Sequence, residues 1–420
     1  MTDSIDDRPL LVIPSDCGVE PMTLTEIVAG RFRLLWLTDP AVALPQSHHR
    51  ILRKFGQVLD VTGEPPQNVA QMVGKFRPNG VVTFWDRRIL ELSYLAAELG
   101  LPFHQPEVAL RLVDKYLQRE ALAAAGLPVP GYGILSEGLD DLFAAQTLSS
   151  VTFPAVLKPC RGCGSEYVYG VQSFDQLVQV MTALRAEGMV EPMILEEFLL
   201  PLPRPDADAI APMVSVESYL SDGELSHVAI TGRFALVEPF RETGNFVPAD
   251  LDASQREDVL ELAAAAAGAM GAESGCFHTE IKLTPDGPRV IEVNGRVAGG
   301  GTPQLIQRVG GVDLFDIAIR LATGQRVPPI QPVSPRGIAY FALVQPPVTA
   351  KRVVRIDGLD ALASRPGVDR VMVNRHPGEE VDWKLGYPEF VLRSDGMAAD
   401  FNELRDAYRY LHGKVVIGYD

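Results

Sequence analysis

The chain has 420 residues, enough to bury more than one core, so about two or three domains are expected. With 46% apolar and 22% charged residues it has the composition of a soluble globular protein, and no run reaches the roughly 18 apolar residues that a membrane helix needs. A formal net charge of -16 argues against a nucleic-acid partner, which would need clustered Lys and Arg, and leaves room for a local cationic pocket. Residues 1–7 are mostly acids and hydroxyls with no basic-then-apolar signal, so a cytoplasmic location is expected.

In the first hundred residues, Leu10-Leu11-Val12-Ile13, Leu34-Leu35-Trp36-Leu37 and Gly80-Val81-Val82-Thr83-Phe84 are apolar runs of strand length. A helical stretch over 90–99 stops at Gly100, and the alternation predicts a parallel sheet covered by helices. No G-x-G-x-x-G follows the first strand, so a dinucleotide site there is not supported. Prolines 102 and 106 mark a break. A single helix is predicted over 108–125, stopped by Gly126-Leu127-Pro128-Val129-Pro130. A strand over 153–158 then runs into Pro159-Cys160-Arg161-Gly162-Cys163-Gly164-Ser165. Ser173 with Gln176 reads as a capping box opening a helix that Gly188 closes. Residues 200–212 contain four prolines and read as a loop. An alanine-rich helix over 252–270 leads into a hairpin, and a helix over 313–322 precedes the proline-rich stretch 327–335. Strands over 338–344 and 368–373 alternate with short helices as a separate small cap. There is no internal repeat.

Four cysteines are present, Cys17, Cys160, Cys163 and Cys276. The C-x-x-C spacing of Cys160 and Cys163 invites a zinc or redox reading, but no further ligands lie at regular spacing, and a reducing compartment fits best.

The hairpin carries the chemistry. Phe277-His278-Thr279-Glu280-Ile281-Lys282 and Val290-Ile291-Glu292-Val293-Asn294-Gly295-Arg296 alternate apolar and polar residues at period two around a Thr-Pro-Asp-Gly turn. A three-residue loop 285–287 with Gly287 left-handed sets Glu280 opposite Glu292 and His278 opposite Asn294. Like charges directly opposite destabilise a sheet, so the pair calls for neutralisation, and oxygen ligands suit a hard divalent cation such as Mg2+. Asn294 and Arg296 share the face of Glu292. A metal, an amide oxygen and a fixed positive charge make a set suited to phosphoryl transfer.

Lys158 ends a strand just before Gly162, Gly164 and Ser165, where a point charge and unobstructed N–H groups can meet phosphate oxygens. The spacing is not that of a P-loop, and taken alone the segment reads as a plain surface turn. Lys115, in Asp114-Lys115-Tyr116-Leu117, reads alone as an exposed lysine in the first half of a helix. Glu196-Glu197-Phe198-Leu199 follows the apolar run Met193-Ile194-Leu195, a strand end that can hold an adenine between apolar side chains.

In this order, Asp114-Lys115, Phe153-Pro154-Ala155-Val156-Leu157-Lys158-Pro159, Gly164-Ser165, Glu196-Glu197-Phe198-Leu199, Glu280 and Glu292-x-Asn294-x-Arg296 resemble the ATP-grasp superfamily of carboxylate–amine ligases, over residues 80–325. The resemblance implies an α/β chain, of the α+β ATP-grasp fold, in three parts. These are an N-terminal parallel-sheet domain (1–104), an ATP-grasp domain with a glycine-rich lid (105–328) and a C-terminal α/β cap (329–420). It implies that Lys115, Lys158, Gly162, Gly164 and Ser165 bind ATP phosphates and that residues 196–199 bind adenine. Glu280, Glu292 and Asn294 would hold two Mg2+ ions, with Mn2+ as a substitute, and Arg296 and Lys158 would act on the transferring phosphoryl group. The sequence departs from the pattern at Tyr167, which stands at the lid's second glycine position. It departs again at Met213, which replaces an acid and leaves Glu217 as the ribose candidate.

Phe277-His278-Thr279-Glu280-Ile281-Lys282, Gly299-Gly300-Gly301 and the cap look like the L-amino-acid ligases. His278, Gly299, Gly300 and Arg296 are then candidate substrate contacts, the glycines as an anion nest or as a connector. Arg233, Arg241, Glu242 and Thr243 are further pocket candidates. The implied reaction is ATP-dependent amide formation between small carboxylate and amine substrates, amino acids above all, through an acyl phosphate, with a homodimer left open. The alternatives are a biotin-carboxylase-like or purine-pathway ligase, and a nucleotide-binding module without turnover.

Overall fold

The computed structural model describes residues 7–28, 30–39, 46–135, 151–330 and 335–420. The N-terminal residues 1–6 and residues 331–334 of the proline-rich stretch lie outside them. Strands β1 (Leu10–Pro14), β2 (Arg33–Thr38), β3 (Gln57–Asp60) and β4 (Gly80–Val81) form a parallel sheet in the order β3-β2-β1-β4. Helices α1 (Pro21–Val28), α2 (Gln46–Phe55), α3 (Pro66–Gly74) and α4 (Asp86–Leu99) connect and cover them. Leu11 and Ile13 face one hydrophobic cluster and Leu10 and Val12 another, as expected for a parallel strand buried on both faces. The third apolar run is only two residues of strand. Beyond Val81 the backbone leaves the sheet, Phe84 N–H bonds Cys17 O, and Trp85 N–H bonds Thr83 Oγ1, which delivers Asp86 to the start of α4.

The helix predicted over 108–125 is two helices, α5 (Pro106–Val113) and α6 (Lys115–Ala124). Asp114 breaks it. Its backbone is extended (φ -118, ψ 110) and its carboxylate accepts from the N–H groups of Tyr116 and Leu117, capping α6. Lys115 therefore stands at the first position of a new helix. A second sheet holds β5 (Tyr132–Leu135), β6 (Ala155–Pro159), β7 (Tyr169–Val171) and β8 (Met193–Glu197) in the order β5-β8-β6-β7, all pairs antiparallel. Helix α7 (Phe174–Ala186) packs against it. Ser173 caps α7, but the expected box is incomplete, because Gln176 Oε1 accepts from Gln172 N–H instead of from Ser173.

The third sheet has eight strands. They are β9 (Ile210–Ser221), β10 (Glu224–Phe234), β11 (Gly244–Val247), β12 (Gly275–Thr284), β13 (Gly287–Asn294), β14 (Ile338–Val344), β16 (Val368–Val373) and β17 (Leu392–Ala398). Their order is β13-β12-β9-β10-β11-β14-β17-β16, with β15 (Val353–Asp357) and β18 (Val416–Tyr419) paired separately. Strand pairing does not break at residue 328, since β14 pairs directly with β11. Helix α8 (Ala253–Met270) opens with a full capping box between Asp252 and Gln255. It buries Val259, Leu262, Ala263, Ala266, Ala267 and Met270, a single 3.6-period stripe, against Phe277, Ile281, Val290 and Val293 of the hairpin. With the apolar face of β12 and β13 covered by α8, the polar face is left for the site. Helices α9 (Thr302–Gly310), α10 (Leu314–Ala322), α11 (Leu359–Ala363) and α12 (Phe401–Lys414) complete the chain. Among the described residues no helix is long and apolar enough to cross a membrane.

Candidate active site

Glu280 faces Glu292 and His278 faces Asn294 across β12 and β13. The route to that register differs from the expected one. Thr284 pairs with Gly287 around a two-residue loop, and the residues up to Ile281–Val290 run one position out of the anticipated pairing. A bulge then inserts Ile291 opposite no partner and restores Glu280 to Glu292. Gly287 has φ 95, the left-handed conformation that the turn was expected to need.

Neither carboxylate stands alone. Glu292 Oε1 lies 2.9 Å from Lys115 Nζ, which also donates to Gly162 O at 2.8 Å. Burial disfavours the Lys115 ammonium, but the Glu292 charge outweighs it and its pKa is raised. Glu280 Oε1 accepts from His278 Nε2 at 3.1 Å and lies 3.7 Å from Arg233 Nη2. Burial opposes its ionisation, yet His278 and Arg233 prevail and hold its pKa down to about 2. His278 Nδ1 bonds Glu217 Oε1 at 2.7 Å, and Glu217 also accepts from Ser215 Oγ at 2.8 Å. Desolvation works against the imidazolium, but two flanking carboxylates raise its pKa to about 9. With both ring nitrogens donating, the 3.4 Å approach of Arg233 Nη2 to His278 Nε2 is a contact between cations bridged by Glu280.

Glu217 is thus corrected as a ribose candidate. It is 1% exposed, and its Oε1 meets both His278 and Ser215, while Oε2 is buried without a hydrogen-bond partner among the described residues. Glu280, Glu292 and the Asn294 amide supply oxygens, the donor type a hard cation takes, and Glu280 is held ionised for it. Among the described residues no group of three or more His, Cys, Asp or Glu side chains is placed to hold a metal ion by itself, so phosphate oxygens or water would have to complete any coordination shell.

Lys158 ends β6 with its ammonium 2.8 Å from Glu196 Oε2. Burial lowers its pKa in spite of that carboxylate. Glu196 is 5% exposed and also pairs with Arg119, whose Nε lies 2.9 Å from Glu196 Oε1. Its side chain therefore neutralises Lys158 and Arg119. Glu197 accepts from Gly131 N–H, and Phe198 N–H donates to Pro154 O while its ring lies against Phe240, so residues 196–199 link the second sheet to β9.

The glycine loop lies closed. Gly164, Ser165 and Tyr167 take φ values of 64, 61 and 50, so Tyr167 adopts the backbone conformation a glycine would take at that position. Ser165 Oγ donates to Phe240 O, Glu166 pairs with Arg87, and Tyr167 N–H donates to Lys384 O. Tyr387 N–H donates to Gly164 O at 2.7 Å. A Cβ on Gly386 would stand 2.1 Å from that same oxygen, so the segment 383–389 sits directly on the lid.

Arg296 turns from the hairpin end to the N-terminal domain, where Nε and Nη2 both donate to Asp86 Oδ2. Burial works against its charge, yet Asp86 raises its pKa further. Gly300 (φ 68) and Gly301 lead into α9, and Gly300 O accepts from Tyr387 Oη and Arg393 Nη1. Gly299 O accepts from Thr302 N–H. Of the other pocket candidates, Arg233 and Glu242 pair at 3.1 Å inside the His278 network. Arg241 bonds backbone oxygens of Glu238 and Pro346, and Thr243 bonds Ala235 O, so both serve the fold. Asp86, Gln118, Arg119 and Tyr387 escaped the sequence reading. Gln118 and Arg119 carried a signal, being three and four residues from Lys115 and so on its helix face. Asp86 lies 210 positions from Arg296 and had none.

Residues 112–300 match the family model described as ATP-grasp domain. The chain is 29% identical over 279 residues to carnosine synthase 1 of Gallus gallus, covering 62% of this chain and 28% of that protein. It is 22% identical over 356 residues to alanine–anticapsin ligase of Bacillus subtilis, covering 75% of this chain and 74% of that one. It spans 60% of the length of an uncharacterised Sinorhizobium fredii relative. The crystal structure of an L-amino acid ligase from Bacillus licheniformis superposes with a TM-score of 0.79 at 20% identity, over 99% of this chain and 100% of the other. Residues 112–300 thus carry an ATP-grasp domain, within a chain that shares the fold of the L-amino acid ligase structure.

Proposed function

We propose that this chain is an ATP-dependent ligase that joins two amino acids by an amide bond through an acyl phosphate, releasing ADP and phosphate. The observation that carries the reading is one face holding two opposed carboxylates in register, with the buried Lys115 and Lys158 and a closed glycine loop around it. The names of the relatives, a carnosine synthase and an alanine–anticapsin ligase among them, support amino acids as substrates.

Lys115 and Lys158 are paired internally, with Glu292 and Glu196. A polyphosphate entering under the loop offers both a stronger acceptor, and Lys115 then releases Glu292 for metal. Mg2+, in two copies and replaceable by Mn2+, would be held by Glu280, Glu292 and Asn294 and would neutralise charge building on the transferred phosphoryl group. His278 and Arg233 keep Glu280 ionised and aimed. Arg296, with Nε and Nη2 held by Asp86 and Nη1 bonded to Val297 O, would turn its remaining N–H groups to the acyl phosphate's oxygens. The clasped loop excludes water, which would otherwise hydrolyse the acyl phosphate. Gly299 and Gly300 would border the substrate side of this face, with His278 acting through Glu280.

The test is ATP turnover with pooled amino acids, followed by mass identification of products. Amino-acid-dependent ADP and phosphate support the reading. AMP as stoichiometric product refutes the acyl phosphate, and dependence on bicarbonate alone refutes amide formation.

A further inference from the structure

Strand β13 is the edge of the eight-stranded sheet, and an edge strand leaves backbone N–H and C=O groups unpaired. Here one turn of α6 takes their place. Gln118, 0% exposed, bonds a single residue twice: its Oε1 accepts from Val293 N–H at 2.9 Å and its Nε2 donates to Val293 O at 3.0 Å. That is the pairing a neighbouring strand would give. One residue on, Arg119, also 0% exposed, donates from Nη2 to Ile291 O at 2.6 Å. Ile291 is the bulged residue, the one whose insertion brings Glu292 opposite Glu280. Lys115, a turn earlier, bonds Glu292 itself. Three side chains of one helix face therefore hold the three consecutive residues 291–293.

Arg119 has a second partner. Its guanidinium pairs with Glu196, and Glu196 with Lys158 of the second sheet. A guanidinium can hold two acceptors in fixed directions, whereas an ammonium at the end of a shorter, rotatable stem cannot reproduce that fork. A bulge is also where a strand is free to slip by one residue, and such a slip would turn Glu292 to the opposite face.

From this we infer that Arg119 is a positioning residue that locks the Ile291 bulge and ties it, through Glu196, to Lys158. The phosphate-binding lysine and the metal-binding carboxylate are thereby set at a fixed separation before any ligand arrives. The inference rests on the assignment of Glu292 to metal and Lys158 to phosphate made above.

The two bonds of Arg119 separate in two substitutions. Arg119→Lys keeps a cation beside Glu196 and gives up the Ile291 carbonyl. Arg119→Met keeps the volume and gives up both. Amide hydrogen exchange of the ligand-free protein is read over peptides covering residues 289–296, beside the thermal midpoint. Loss of one hydrogen bond to a charged group predicts exchange there faster by about ten- to a hundredfold in both variants, with peptides of β1 and β2 unchanged. In turnover, Arg119→Lys should need roughly tenfold more Mg2+ for half-maximal rate while its KM for ATP stays within about twofold, and Arg119→Met should raise both. A core-filling role predicts the reverse, with exchange over 289–296 and Mg2+ demand at wild-type levels and only the thermal midpoint lowered. That result would overturn the inference. If the wild type itself shows no amino-acid-dependent turnover, the ligase reading fails separately and the exchange data alone decide on Arg119.

Discussion

Glu280→Gln tests whether the opposed carboxylates are a source of strain or an anchor. From sequence alone, removing one of two facing charges should relieve repulsion and raise stability in the absence of metal. The structure reverses that expectation. Glu280 is the shared counter-ion of His278 and Arg233, both buried, and Glu292 is already neutralised by Lys115. Losing one partner of an isolated buried pair costs roughly 3–5 kcal/mol. His278 keeps Glu217 and Arg233 keeps Glu242, so about 2–3 kcal/mol is expected, which at this chain length lowers the thermal midpoint by about 2–4 °C. The pH dependence gives a second reading. His278 is raised to about 9 in the fold, so its contribution is fully present below the unfolded value near 6.5 and is lost as pH rises towards 9, about 3 kcal/mol in all. In Glu280→Gln that alkaline loss should shrink, because Glu280, the lesser of the two carboxylates that raise His278, is gone. Thermal unfolding at pH 6, 7.5 and 9 without Mg2+ would measure both effects. A midpoint equal to or above that of the wild type, with an unchanged alkaline slope, would refute the anchoring argument.

Arg296→Lys should lower kcat by about 100-fold or more while KM for ATP changes little, because Lys keeps the charge and loses the fork; steady-state kinetics check this. Gly386→Ala places a Cβ 2.1 Å from Gly164 O at a left-handed φ of 71, so the segment 383–389 must lift from the lid. Limited proteolysis within residues 160–168 should quicken, and ATP hydrolysis uncoupled from amide formation should increase. Lys158→Met removes the ammonium and leaves Glu196 with Arg119 alone. KM for ATP should rise by about tenfold or more, the worth of one charge-assisted contact, with a thermal midpoint close to that of the wild type, as binding assays and calorimetry would show.

Period-two alternation made the hairpin legible, because burial against α8 on one face leaves polar residues on the other. Strand β14 and the strand over 368–373 have the bounds expected from sequence, β14 as an unbroken apolar run buried on both faces. The register came out right although the turn was misjudged, since the Ile291 bulge compensates for the shorter loop. Nothing local in Val290-Ile291-Glu292 announces a bulge, because its stabiliser is Arg119, 172 positions away. Likewise the helix over 108–125 looked continuous in its apolar pattern. Asp114 divides it by offering its carboxylate to two N–H groups, a competition that helical periodicity does not register. The partners of Glu217 and Glu196 were not legible for one reason. Both lie on strands of the site, and only the packing shows that their carboxylates turn towards buried cations.

The pairing of β11 with β14 bears on how far the C-terminal quarter can be exchanged. A chain ending at residue 330 would strip β14, β17 and β16 from the sheet and leave β11, four residues buried throughout, as a bare hydrophobic edge open to intermolecular pairing. The same cut would remove Tyr387 and Gly386 from the lid. Swapping this region between relatives to alter substrate choice is therefore a splice through the middle of a sheet. A working chimera must preserve the alignment of Gly244 with Ala342 and of Val247 with Ala339, whatever pocket residues it brings.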